Sequence, residues 1–355
     1  MSAAAPKTRV KLTLSPQAEK YARRDAPVEA RRMAARGALP LEPIDLATVL
    51  FALAHDSEAD IKATARESLD TLPEHVLDPV LSGPTHCLVL SYLARVHREN
   101  EDHCEKLALN PAADDQTIAF LATLPLRRVV DVVSNNQQRM LRCEEIVEAL
   151  GANPLTGRAV IERILTFLGL DHPDDEDPEE HEISEEAAEA AVLAFLGEDN
   201  REIAKALASE DEIDDEELEN NLFAAVQKMS VMQKIKLARV GGKEARSLLI
   251  KDRNKIVATS VLGSPKITDS EIIAIANSRG VSDEILRIIC MNKEWTKSYQ
   301  IKLALVMNPK TPTPQAVKYI NYLQDKELRT LMKSKDVSVQ ISTQARRILQ
   351  KKGKI

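Results

Sequence analysis

His86, Cys87, His97, His103 and Cys104 fall within 19 residues, and imidazole and thiolate are the groups that hold zinc. Zinc takes four N or S ligands at about 2.0–2.3 Å, and finger-type sites draw them from short paired spacings. Neither Cys87 with Cys104 nor His97 with His103 offers such a pair. Core packing and surface histidines account for the cluster, and no metal is expected. Gly241-Gly242-Lys243-Glu244 carries the glycines and lysine of a phosphate loop. That loop also needs a glycine five residues before its last one and a Ser or Thr after its lysine. Leu237 and Glu244 stand there instead, so the glycines are read as the end of a helix near Val240. The acidic stretches lack the Asp-x-Asp-x-Asp-Gly order of an EF-hand. No Ser-His-Asp or Cys-His arrangement stands out. The chain is read as non-enzymatic and without a cofactor.

Aromatic residues interleaved with cations remain. Trp295 and Tyr299 are one helical turn apart and are read as lying on one helix, with Lys293, Lys297 and Lys302 around them. Tyr319 and Tyr322 follow beside Lys318. Such a pattern can stack bases and hold phosphates, anchor a protein partner, or fill a core. The candidate partner-binding residues are Lys293, Trp295, Lys297, Tyr299, Lys302, Lys318, Tyr322 and Arg329.

These residues sit in a repeating frame. Val261-Leu262-Gly263-Ser264-Pro265 recurs as Leu305-Val306-Met307-Asn308-Pro309, 44 residues on. Leu109-Asn110-Pro111 recurs as Ala152-Asn153-Pro154, 43 residues on. Within one unit, Pro265 stops a helix through Ile256, Val257, Val261 and Leu262. Thr268-Asp269-Ser270-Glu271 has capping-box spacing. Ser282 caps a further helix through Ile285, Leu286, Ile288 and Ile289. Between Pro111 and Pro154 the pattern gives a helix around 118–124, a short one over 126–133 and a long one over 137–150. Each helix is too short to stand alone, so the apolar stripes must stack.

Asp56, Ile61, Ala65-Arg66 and Leu69 match Asp336, Ile341, Ala345-Arg346 and Leu349 at identical offsets. With the 43–44-residue period, this resembles the HEAT and armadillo-like α-solenoid repeats, whose units run about 40–47 residues. The resemblance covers most of the chain outside 171–219 and implies an extended surface for binding. It resembles in outline the HEAT-like DNA glycosylases, although aromatic content of 3% argues against their base pocket. The fold class expected is all-α, an α-solenoid in two blocks joined by an acidic segment.

The division expected is a disordered tail over 1–14, a repeat block over 15–170, an acidic linker with one or two short helices over 171–219, and a basic repeat block over 220–355. Residues 15–36 read as a solvated capping segment broken at Pro27. Residues 171–219 hold 22 Asp or Glu against Arg201 and Lys205, whereas residues 220–355 hold 26 basic and 10 acidic residues. The acidic segment is expected either to fold against the basic block or to act as a solvated spacer. The last lysines read as a frayed helix end. Four scattered cysteines and the absence of an apolar leader point to a cytoplasmic chain with reduced thiols. The expected function is a scaffold or adaptor that binds a protein, with the basic block taking an acidic partner. The alternative is a nucleic-acid-binding repeat protein in which the acidic joint acts as an intramolecular mask.

Overall fold

The computed structural model describes residues 12, 14–23, 25–168, 184–197, 200–211, 216–334 and 336–354. Most of the expected tail over 1–14 and, within the expected acidic linker over 171–219, residues 171–183, 198–199 and 212–215 lie outside them. All regular structure among the described residues is helical. The chain divides into two compact units, 1–156 and 157–355.

The first unit contains α1 (Pro16–Ala22), α2 (Val28–Ala35), α3 (Pro43–Leu53), α4 (Ala59–Asp70), α5 (Glu74–Ser82) and α6 (Cys87–Val96). It continues with α7 (Glu101–Leu109), α8 (Asp115–Thr123), α9 (Arg127–Ser134), α10 (Gln137–Arg142) and α11 (Glu144–Ala152). Helices pack on the next but one (α1 on α3, α3 on α5, α5 on α7, α7 on α9, α2 on α4, α6 on α8) and on their chain neighbours, and the most extensive pairs are α8 with α11 and α3 with α4. Ile61, Ala65 and Leu69 of α4 are fully buried in this stack.

Two expectations are corrected here. The basic N-terminal segment is not simply solvated. Arg31 is buried, its Nη1 2.5 Å from Asp56, and its Nε donates to Ala26 O. Burial alone would raise the Asp56 pKa, but the Arg31 guanidinium and the Glu58 amide outweigh it and hold that carboxyl below its ordinary value. The long helix over 137–150 is two helices. Cys143 is extended at φ −134° and ψ 105°, where it precedes α11 and its thiol donates to Glu145. Just before the break, buried Arg139 donates to the carbonyls of Asn110, Pro111 and Ala113 and pairs with Asp115.

The asparagine of each Asn-Pro pair has a role the proline had concealed. Asn153 Nδ2 donates to Ala122 O and Leu124 O, both at 2.7 Å, and its Oδ1 accepts from the Leu155 amide. Asn110 makes the same three contacts, with Leu81 O, Gly83 O and the Ala112 amide. In the second unit Asn308 repeats them with Ala276 O, Ser278 O and the Lys310 amide. All three are buried. A helix leaves its last carbonyls without intrahelical donors, and each asparagine satisfies two such groups on a preceding helix end.

The second unit contains α12 (Arg158–Phe167), α13 (Glu185–Leu196), α14 (Arg201–Ala208), α15 (Glu216–Lys228), α16 (Val231–Val240) and α17 (Lys243–Leu249). It continues with α18 (Lys255–Leu262), α19 (Asp269–Asn277), α20 (Asp283–Met291), α21 (Tyr299–Met307), α22 (Thr313–Ile320), α23 (Asp325–Lys333) and α24 (Val339–Lys351). Ser184 caps α13, Thr268 and Glu271 form a reciprocal capping box on α19, and Ser282 caps α20. Ile341, Ala345 and Leu349 of α24 are buried as their counterparts in α4 are.

The described part of the acidic joint is built into this unit. Helix α13 packs on α14 and α16, and α14 packs on α15 and α17. The Gly242 amide donates to Leu207 O at 2.8 Å. A Cβ at Gly242 would stand 1.7 Å from Ser209 O, so only glycine lets the two backbones meet. The Gly241-Gly242 pair does follow α16, but both residues have negative φ. Close approach, not left-handed backbone, requires Gly242. Arg246 is 2% exposed and clasps two carboxylates, Glu210 at 2.7 Å and Glu271 at 2.8 Å, while donating to Gly241 O. The chain end is also tied down, since Lys352 and Lys354 both bond Asp325 at the start of α23. Their hydrogen bonds and charges hold the Asp325 carboxyl down at about 2.

Two outcomes test this reading. Asn153→Ala leaves buried carbonyls without donors, each worth roughly 1–3 kcal/mol, so urea unfolding will show a loss of about 3 kcal/mol. The exposed helix-end residue Asn321 carries no such bridge, and Asn321→Ala will stay within about 0.5 kcal/mol. Burial alone would raise the Glu271 pKa, but hydrogen bonds from Arg246 and the Thr268 amide place it below its ordinary 4.5. A depressed carboxyl contributes stability above its unfolded value and loses it as pH falls through its folded value. The melting-temperature gap between wild type and Glu271→Gln will therefore be constant from about pH 8 to 5.5 and shrink below about 4.5.

Candidate functional site

Five of the eight sequence-derived candidates meet on one open cleft of about 600 Å³ in the second unit. Three short elements make it. The C-terminal end of α20 supplies Cys290 and Met291. The turn that follows supplies Lys293, Thr296 and Lys297. The facing turns of α21 and α22, with the chain just beyond, supply Lys302, Gln315, Lys318, Tyr319 and Tyr322. The volume lies within the ordinary range for ligand pockets, roughly 300–1,000 Å³.

The floor is buried and the rim is lined by lysines. Tyr319 is buried, and its hydroxyl donates to Cys290 O at 2.5 Å, which locks α22 to the end of α20. Burial, followed by the neighbouring Cys290, pushes the Tyr319 hydroxyl above its usual pKa. Burial pushes the Cys290 thiol up to about 12, which leaves it protonated and a poor nucleophile at neutral pH. On the rim, Lys302 Nζ lies 4.8 Å from the centre of the Tyr322 ring, within cation–π range. Lys318 Nζ lies 5.9 Å from the Tyr319 ring. Lys297 pairs with Glu294 at 2.6 Å. No carboxylate among the described residues lies within salt-bridge distance of Lys293, Lys302 or Lys318.

The other three candidates stand elsewhere. Trp295 and Tyr299 do not share a helix: Trp295 opens a 3-10 turn over Trp295–Lys297, Ser298 is extended, and Tyr299 begins α21. Trp295 lines an adjoining groove of about 370 Å³ with Arg158, Met291 and Lys293. The Tyr299 hydroxyl accepts from the Gln324 amide at 3.1 Å, just before α23, so it serves the fold. Arg329 is exposed on α23 and does not line the cleft.

Met291, Gln315 and Thr296 were not legible as site residues. Met291 is 56% exposed, a large apolar side chain standing among lysines. Its signal in the sequence is its place directly before Asn292, where Met307 precedes Asn308 and Leu109 precedes Asn110. All three of these residues are exposed.

The histidine–cysteine cluster resolves differently. His86 caps α6 through Nδ1. His97 and His103 meet edge to face at 4.9 Å, and burial with the nearby His103 lowers the His97 pKa. Glu74, Asp78 and His103 can bring one ligand atom each within 4.8 Å of the others. In this structure His103 Nε2 bonds Glu74 at 3.0 Å and the Lys106 ammonium bonds Asp78. All four cysteines are free thiols, with Cys104, Cys143 and Cys290 buried and Cys87 half-buried. No described helix is long and apolar enough to cross a membrane.

No family model matches this chain, and no significant match exists to a curated protein or to a solved structure.

Thiol chemistry checks the cleft floor. At pH 8 iodoacetamide will modify Cys87 first and leave Cys290 untouched until the chain unfolds, as read by mass spectrometry. Rapid native-state labelling of Cys290 would mean that the Tyr319 contact does not close the floor.

Proposed function

We propose that this chain is a non-enzymatic helical-repeat scaffold of the HEAT or armadillo-like α-solenoid kind that binds an acidic protein partner through its basic C-terminal helices. The recurring asparagine bridges and the equivalent burial of α4 and α24 support the repeat reading. Units that bury their faces only against neighbours leave long surfaces for partners. The observation that carries the binding reading is the cleft rim. Lys293, Lys302 and Lys318 converge there without a carboxylate within salt-bridge distance among the described residues. Like charges gathered in one concave place focus positive potential and draw an anion.

A protein partner is favoured over nucleic acid by the state of the aromatics. Single-strand binders offer successive open rings for bases. Here Tyr319 is buried, Tyr299 holds α23, and Tyr322 has Lys302 over its ring. Docking of α13 and α14 in the second unit also argues against the joint as a detachable mask, because Arg246 and Gly242 bind its described part into the core.

Fluorescence anisotropy on the full chain tests this. Labelled polyglutamate, single-stranded DNA and RNA are titrated across a salt series, with wild type and the double variant Lys302→Glu/Lys318→Glu. Polyglutamate will bind near physiological salt, and the double reversal will weaken it at least about tenfold, a loss of roughly 1.4 kcal/mol. Tighter binding of nucleic acid, with a steep salt slope, would move the function to nucleic-acid binding. No binding of any anion would remove the reading.

A further inference from the structure

We infer that the cleft recognises an extended acidic peptide segment carrying one large apolar side chain, which seats on Met291 between flanking carboxylates held by Lys293, Lys302 and Lys318. This rests on the proposed function and specifies the partner's chemistry. The cleft is not uniformly cationic. Met291 stands 56% exposed at the mouth, where it lines both the main cleft and the groove beside Trp295. Tyr322, 60% exposed, lines the same cleft. The Met291 thioether sulfur accepts from Arg158 Nη1 at 3.1 Å, which leaves the rest of the side chain facing the cleft, and methionine adapts its shape to varied apolar guests.

The charges around it fit carboxylates presented on a flexible chain. All four cations of the cleft are lysines, which act as mobile point charges. Arginine, whose planar fork suits bidentate capture of phosphate, is absent from the lining of the main cleft. Lys297 is already paired with Glu294, so three lysines remain to meet the partner's charge. Their ammonium groups project from the turn after α20, from α21 and from α22. A partner that satisfies all three occupies the cleft that Met291 also lines. Tyr319 beneath offers a buried, already bonded surface that stays in place.

The test uses the full chain and labelled nine-residue peptides in anisotropy titrations. One has a central Phe within Glu and Asp, one replaces that Phe by Ala, and one keeps Phe but replaces every acid by its amide. The first will bind. The Phe→Ala and amide peptides will each bind about tenfold more weakly or worse. Met291→Gln will weaken the Phe peptide about tenfold and leave the Ala peptide unchanged, and circular dichroism will stay native because the side chain is exposed. Lys318→Gln will weaken both acidic peptides. Equal affinity for the Phe and Ala peptides, with loss in Lys318→Gln, would overturn the apolar anchor and leave the acidic-partner reading standing. Binding of no acidic peptide would overturn both. Self-association abolished by Lys302→Glu and competing with the Phe peptide would assign the cleft to a second copy of the chain and overturn this inference alone.

Discussion

A buried carboxamide between helix ends is the constraint on which much of this fold depends. Helices of eight to ten residues are marginal in water, and their termini expose carbonyls that burial makes costly. Asn110, Asn153 and Asn308 each solve both difficulties at one position. Two donors on Nδ2 reach carbonyls of a helix about thirty residues earlier, and Oδ1 accepts from the residue two places on. No aliphatic residue can make that bridge. Aspartate has the shape but no donors. Serine reaches only partway: Ser264, at the same place in its repeat, makes a single 3.3 Å contact with Arg239 O. The following proline prevents the helix from continuing, so the asparagine stays at the end where its side chain can turn back.

The same logic explains how a strongly acidic stretch joins a basic unit without being a tether. Charge alone would bring residues 184–211 near the C-terminal helices, but screening at physiological salt leaves only short-range attraction. Specific placement comes from two local features. Gly242 lets the backbones of α14 and α17 approach beyond what any side chain permits. Arg246 then lies between Glu210 of the joint and Glu271 of the capping box on α19. Removing one partner of a buried ion group typically costs 3–5 kcal/mol, because the other charge is stranded. Glu271 thus works twice, as the far end of its own helix cap and as the anchor for a residue that holds the joint.

What was legible follows from which interactions are local. The caps at Ser184, Thr268 and Ser282 stand where the sequence put them, because a cap is decided within four residues. The shared burial of Ile61, Ala65, Leu69 and Ile341, Ala345, Leu349 follows from helical periodicity. The errors are places where a distant group intervened. Cys143 interrupts a stretch with unbroken helical composition just after Arg139 is drawn to the carbonyls of 110–113. Arg31 looked like surface charge because its partner Asp56 is 25 residues away. Trp295 and Tyr299 have helical spacing, but Asn292 turns its side chain onto the amides of Glu294 and Trp295 and starts a tight turn instead. The candidate lysines were identified by type, yet their convergence was not readable, since positions 293, 302 and 318 share no period.

Positive charge in the second unit is therefore spent unevenly. Arg246 is consumed in the core, Lys234 pairs with Asp252, Arg279 with Asp336, and Lys352 and Lys354 share Asp325. Each neutralises charge where the fold needs it. The lysines of the cleft beside α20 are less fully paired than these. A carboxylate is present at Glu294, but it serves Lys297 and leaves the remaining rim lysines to solvent and to aromatic faces. Lys293, Lys302 and Lys318 have no carboxylate within salt-bridge distance among the described residues, although Lys302 donates to Lys297 O at 3.4 Å and lies over the Tyr322 ring. Met291 is 56% exposed in the same place, its sulfur accepting from Arg158 at 3.1 Å. Positive charge and an exposed apolar side chain meet in one concavity, and the proposed acidic partner rests on that combination.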